Sequence, residues 1–63
     1  MTDEEILSQL QTEKDYFIWL NRVLGEQIRA GNAPLIERYL RAVDAQTRLV
    51  VMFKMMLRGK ANR

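Results

Sequence analysis

The chain has 63 residues, a formal net charge of +2, and neither cysteine nor histidine. A domain of this size buries only about 60% of the surface that its unfolded chain exposes, so its own core is marginal. Because disulfides and the commonest metal ligands are excluded, oligomerisation is the expected means of stabilisation.

The start of the chain and its most apolar segment carry no signal for export or membrane insertion. Acidic residues at positions 3–5 are the opposite of the basic start of a secretory signal. The apolar run at 49–53 is far shorter than the roughly 20 residues that a membrane span needs. We therefore expect a soluble, cytoplasmic protein that makes no membrane contact.

The first predicted helix covers residues 3–30. Thr2 followed three residues later by Glu5 is a capping box, which satisfies backbone N–H groups that the first helical turn leaves unpaired. Gly25 costs about 1 kcal/mol relative to alanine and does not by itself end a helix. The first strong stop signal is Gly31.

Residues 31–33 are predicted to form the turn, with Gly31 in the left-handed conformation, Asn32 as the next N-cap and Pro34 in the following first turn. The second helix is predicted over 34–58, followed by a basic tail at 59–63. A connection this short makes the helices antiparallel neighbours. The expected fold is all-α, a single helical-hairpin domain spanning 1–63.

Apolar residues at spacings of three, four or seven mark the core face of the first helix. Tyr16, Trp19 and Val23 widen this stripe beyond what one partner helix about 10 Å across can cover. The predicted core stripe is Ile6, Leu10, Phe17, Leu20, Leu24 and Ile28.

The second helix changes pattern half way along. Its first half is amphipathic, with Leu35, Ile36, Tyr39, Leu40 and Val43 expected to point inward.

Its second half, 49–57, is apolar on every side except at Lys54, and the opposing end of the first helix is too poor in apolar residues to bury it. Met52 and Met55 are expected to stay in water in a monomer, and such a patch usually marks an interface. We therefore predict a homodimer in which two hairpins form a four-helix bundle. The predicted dimer or partner interface consists of Tyr16, Trp19, Val23, Val51, Met52, Phe53, Met55 and Met56.

Two interpretations stay open for the methionines of this interface. Packing in the dimer core explains Phe53 and Met56 without a further partner. For Met52 and Met55, a dimer core and an adaptable binding surface are equally favoured, because flexible thioether side chains fit irregular partner surfaces.

Residues suited to catalysis or metal binding are few. Without histidine and cysteine, the usual general base, thiol nucleophile and metal ligands are missing. Glu13 and Glu26 border the core face and could pair across a dimer, but solvated carboxylates are the favoured interpretation. We expect no enzymatic activity, no metal, no cofactor and no small-molecule substrate.

Basic residues raise nucleic-acid binding as a second hypothesis. Residues 32–63 carry seven bases and two acids. Glu37 and Asp44 precede two of the arginines by four residues, which favours local ion pairs, and the spacing is not that of a helix-turn-helix. The candidate contacts to nucleic acid are Arg38, Arg41, Arg48, Arg58, Lys60 and Arg63.

The run Ala30-Gly31-Asn32, together with residues 36–41 and Arg48-Leu49, resembles the helical oligomerisation segment of phage terminase small subunits. The likeness covers less than half of the chain and consists of a glycine turn followed by an amphipathic, arginine-containing helix. It implies a self-associating helical segment and does not include the N-terminal DNA-binding domain of those proteins.

The leading prediction is a dimeric adaptor, regulator or inhibitor that binds a larger protein through apolar helix surface. The first alternative is a basic helical dimer that binds nucleic acid, of a phage or plasmid regulatory or packaging type. The second alternative is a structural oligomerisation subunit.

Overall fold

A computed structural model describes residues 2–61, and over that range the chain forms two helices packed against each other. Helix α1 is Asp3–Ala30 and helix α2 is Ala33–Ala61. The hairpin measures 48 × 15 × 14 Å. The all-α fold with two packed helices is thereby confirmed.

The start of α1 is capped by Thr2, as expected. The Thr2 hydroxyl oxygen accepts a hydrogen bond from the backbone N–H of Glu5 at 3.1 Å. The Glu5 carboxylate in turn accepts a hydrogen bond from the Thr2 hydroxyl, also at 3.1 Å. The first-turn acids Asp3, Glu4 and Glu5 lie where the helix dipole favours negative charge.

The turn between the helices is a Schellman motif. Gly31 has φ 69° and ψ 25°, the left-handed conformation that glycine adopts without steric cost. The Asn32 N–H donates to the Gln27 carbonyl and the Gly31 N–H donates to the Ile28 carbonyl, each at 3.1 Å. The Asn32 side-chain oxygen then accepts from the Leu35 N–H at 3.4 Å, which caps α2.

The end of α2 differs from the expected one. The helix was expected to stop before Gly59 and instead continues through Gly59 and Lys60 to Ala61. Gly31 is the one glycine with positive φ among the described residues. Gly59 therefore keeps a helical backbone and does not end α2. The predicted basic tail at 59–63 is therefore wrong for 59–61, and Asn62 and Arg63 lie outside the described residues.

The contact between the helices follows a heptad. Residues spaced alternately by three and four along each helix are all buried or half-buried, which is the spacing of coiled coils. We call them the seam. The seam consists of Ile6, Leu10, Glu13, Phe17, Leu20, Leu24 and Gln27 in α1 and of Leu35, Tyr39, Ala42, Gln46, Leu49, Phe53 and Met56 in α2.

Two residues that were expected to point inward are exposed instead. Ile28 is 56% exposed and Leu40 is 51% exposed. A straight 3.6-residue stripe assigns Ile28 to the core, but the 3.5-residue repeat of two packed helices gives that place to Gln27. For the same reason Tyr39 and Ala42 occupy the seam on either side of Leu40.

The hairpin holds a polar link in the middle of its seam. Gln46 is only 8% exposed, and its amide nitrogen donates to the Glu13 backbone carbonyl at 2.9 Å and to the Glu13 carboxylate. The Gln9 amide donates to the same carboxylate at 2.8 Å. Because the bonds from Gln46 join the two helices, they fix the alignment of α1 against α2.

A pair of glycine substitutions separates backbone conformation from steric fit. At both Gly31 and Gly25 an added Cβ meets no atom within 4 Å. Gly31→Ala should lower the free energy of unfolding by about 1–2 kcal/mol because it forces alanine into the left-handed region. Gly25→Ala should raise it by about 0.5–1 kcal/mol because Gly25 lies in a helix interior. Urea unfolding at one fixed protein concentration measures both, and equal effects would contradict the assigned turn conformation.

Replacing the buried amide tests the polar link. Gln46→Ala should lower the free energy of unfolding by about 1–3 kcal/mol, because the Glu13 carboxylate loses its donor on α2. Thr12→Ala is the matched control: Thr12 is exposed and its hydroxyl donates within α1, to the Ser8 carbonyl. The control should change stability by less than about 0.5 kcal/mol. Equal losses in the two variants would show that the link contributes nothing.

Candidate interaction surface

The two sides of the hairpin differ in the residues that they present. Lys14 and Val50 each directly follow a seam residue, and together they line one open groove of about 240 Å³ between the helices. That side is called the back face. Tyr16 and Met52 each directly precede a seam residue, so they lie on the opposite side, the front face.

An aromatic pair marks α1 on the front face. The rings of Tyr16 and Trp19 pack edge to face, with centroids 5.7 Å apart and an interplanar angle of 69°. Both side chains remain about half exposed, and Val23, one heptad after Tyr16, is half-buried. Edge-to-face packing restricts the orientations of both rings.

A methionine-lined concavity lies on α2, farther from the turn than the aromatic pair. Its volume is about 560 Å³. Met55 is 65% exposed, and Met52 and Val51 are each about half exposed. The concavity is lined by Thr47, Arg48, Val51, Met52, Met55 and Met56.

Phe53 is placed differently from the other predicted interface residues. It is 8% exposed and forms a buried cluster with Ile6 and Leu10 in the hairpin's own core. Met56 is half-buried and packs against this cluster from the same helix. Position 53 belongs to the seam in the heptad repeat, so Phe53 is not part of the exposed surface. Tyr16, Trp19, Met52 and Met55 remain part of it.

The predicted arginine stripe is partly neutralised within the chain. Arg41 pairs with Glu37 at 2.7 Å and Arg48 pairs with Asp44 at 3.0 Å, all four side chains being largely exposed. Such pairs contribute only a few tenths of a kcal/mol but offset the charge locally.

The other candidate contacts to nucleic acid are more scattered. Arg38 is exposed beside Arg41, in a shallow concavity that Pro34 and Glu37 also line. Arg58 is exposed near the end of α2. Lys60 lies within the helix, and Arg63 is outside the described residues. The sequence therefore overstates the charge available to phosphate groups.

The two glutamates considered as a paired site do not act together in one chain. Glu13 is half-buried and holds amide donors, whereas Glu26 is exposed on another part of α1. Over residues 2–61 no three acidic side chains are grouped so that they could hold a metal ion. Within the same range, neither helix offers a stretch long and apolar enough to cross a membrane.

Two features of the molecule were not predicted from the sequence. Gln46 was not recognised as a buried link, although it occupies a heptad position between apolar neighbours. The back face was not separated from the core, although Ile36, Val43, Val50 and Leu57 recur every seven residues. Counting on a seven-residue repeat would have found both.

Comparison with known proteins gives no further identification. No protein-family model matches the chain, and no curated protein or solved structure is significantly similar to it. The likeness to the terminase oligomerisation segment therefore stays a prediction.

Proposed function

We propose that this chain is a non-enzymatic protein-interaction module, a cytoplasmic adaptor, regulator or inhibitor. In this proposal the hairpin dimerises into a four-helix bundle and binds a larger protein through its front face. The observation that carries the proposal is the amount of apolar surface left exposed. Among the residues that the structure describes, nine large apolar side chains are at least 46% exposed, whereas five hydrophobic residues are buried.

The shape of the hairpin explains this imbalance. Its radius of gyration is 14.5 Å, against about 11 Å for a compact chain of equal length. Its accessible surface is 4892 Å², about 700 Å² above the roughly 4200 Å² expected for a compact monomer of this mass. That excess is close to the roughly 800 Å² that each partner buries in a standard interface.

The front face has the composition of a protein-binding surface. Tyrosine, tryptophan and arginine are the residues that most often carry binding energy, and methionine adapts to partner shape. Arg48 borders the methionine concavity, and its exposed pair with Asp44 is weak enough to be exchanged for an acidic group on the partner. A partner helix with apolar residues along one stripe and acids beside them fits this description.

Acidic substitutions in the concavity test the proposal. Met52→Glu combined with Met55→Glu should weaken partner binding at least 30-fold, because the carboxylates would lose hydration in the interface and repel the acids on the partner. Arg22→Glu is the matched control, since Arg22 is exposed on α1 and the net charge changes equally. The measurement is affinity capture from an extract of the cells that encode the chain, followed by titration of the captured protein. Helicity by circular dichroism should be unchanged, and equal capture by all three proteins would reject the front face as the binding surface.

Nucleic-acid binding is the alternative that Arg38 favours. Arg41 and Arg48 form ion pairs, and among the described residues Arg38 forms none. This alternative predicts an affinity that falls about 40-fold between roughly 50 and 200 mM salt if three phosphates are contacted. Arg38→Ala combined with Arg41→Ala should reduce that slope by about 2. Fluorescence anisotropy with duplex DNA and single-stranded RNA measures it, and the absence of binding at low salt would remove this alternative.

A structural oligomerisation subunit is the third alternative. It predicts a solution mass above twice the 7.4 kDa of one chain. Light scattering over a concentration series distinguishes it from the dimer.

A further inference from the structure

The back face carries an unbroken apolar row. Ile36, Val43, Val50 and Leu57 recur every seven residues along α2, and each is half-buried by the hairpin itself. Leu40 stands beside this row and is 51% exposed. A seven-residue apolar repeat is typical of a helix that packs lengthwise against another helix.

We propose that a second copy of this chain covers the back face. The two hairpins lie side by side with their turns at the same end, and α1 of each copy packs against α2 of the other. The inference rests on the proposed dimeric function and deepens it, because it assigns self-association to the back face and leaves the front face to the larger protein.

The alignment inside one hairpin determines which residues would meet between copies. Glu13 bonds to Gln46, and Ile6 clusters with Phe53. A step of seven residues along α1 away from the turn therefore reaches the same height as a step of seven residues along α2 away from the turn. A twofold axis parallel to the hairpin keeps every residue at its own height. Residues of α1 therefore meet those residues of the second copy's α2 that lie at the same height.

At the outer edge of this interface, equal-height positions match in chemistry throughout. One pair joins opposite charges, one joins two polar side chains, one joins two large apolar side chains and one joins two small residues. Ile18 and Leu40, the apolar pair, are 58% and 51% exposed in the single hairpin. The four pairs are Glu4 with Lys54, Gln11 with Thr47, Ile18 with Leu40 and Gly25 with Ala33.

The same alignment applied to the front face gives poor pairs. A methionine meets a carboxylate, and a threonine and a proline meet charged side chains; only the tryptophan and arginine are compatible, through a cation–π contact. Self-association therefore favours the back face over the front face. The front-face pairs are Glu5 with Met55, Thr12 with Arg48, Trp19 with Arg41 and Glu26 with Pro34.

Reversing one hairpin removes the match at the outer edge. With turns at opposite ends, α1 packs on α1 and α2 on α2, which sets Ile18 against Gln11 and Leu40 against Thr47.

The distribution of charge also favours turns at the same end. Residues 3–15 of α1 hold five acids and one base, and α2 beyond Asp44 holds only bases. Turns at the same end place each acidic half between two basic halves.

Polar residues on the α1 side of the back face set the alignment. Lys14 and Asn21 stand in the α1 row between Leu7 and Ile28. Lys14 lines the groove, and its methylene stem can lie along Val43 of the second copy while its ammonium reaches water. Such residues lower affinity but disfavour shifted alignments.

Cross-linking of single-cysteine variants tests the geometry directly, because the chain has no cysteine of its own. Tagged Ile18→Cys chain is mixed with untagged Leu40→Cys chain and treated with a short bismaleimide. The control mixture is Trp19→Cys with Arg41→Cys, the equal-height pair of the front face. All four positions are exposed in the hairpin, and circular dichroism checks that every variant stays helical.

We expect the mixed cross-linked dimer from the first mixture at a yield at least tenfold above the control. This geometry would be overturned if the Trp19 and Arg41 mixture, or a mixture of Ile18→Cys with Gln11→Cys, gave the dominant cross-linked dimer. It would also be overturned if none of the mixtures gave a cross-linked dimer while the wild-type chain has twice the monomer mass. The dimeric function would then still stand. A wild-type mass of one chain at all concentrations would overturn this inference and the dimer together.

Discussion

A pair of helices has one contact line, and each helix can bury only the side that faces it. Here that line is the seam, which includes Glu13, Gln27 and Gln46 among its apolar residues. Within the described part of the chain, five hydrophobic residues become buried and nine large ones stay at least 46% exposed. Every further property follows from this geometry, because the surplus apolar surface must be covered by another chain or remain in contact with water.

The alignment of the seam divides that surplus into two surfaces. The Schellman turn at Gly31 sets where α2 begins, and the bonds from Gln46 to Glu13 fix its position along α1. A shift by one residue would rotate the outward rows of α2 by about 100°. The separation of the methionine concavity from the row that starts at Ile36 therefore depends on those few polar contacts.

The two surfaces differ in the partner that they suit. The front face combines a fixed aromatic pair, flexible methionines and arginines, which favours a foreign and partly acidic surface. The α2 row of the back face is apolar and repeats every seven residues, which favours the second copy of the chain that we propose for it. A dimer that uses the back face would present two front faces, so that it could bind two copies of a partner or one symmetric partner with higher avidity.

Local signals in the sequence were sufficient for the helices and the turn. Thr2, Gly31, Asn32 and Pro34 predict the element boundaries because capping and turn conformations depend on neighbouring residues alone. The end of α2 was mispredicted because Gly59 permits a helical and a left-handed backbone equally well.

The sequence by itself thus determined an all-α chain, two helices, the Gly31 turn and the exposure of Met52 and Met55. Only the tertiary structure decided that Ile28 and Leu40 lie outside, that Phe53 lies in the core, and that Gln46 reaches Glu13. Those outcomes depend on the rotation of one helix against the other. Rotation is set by packing across the seam, and a 3.6-residue pattern read along one helix drifts by about 20° per heptad from the 3.5-residue pattern that packing imposes.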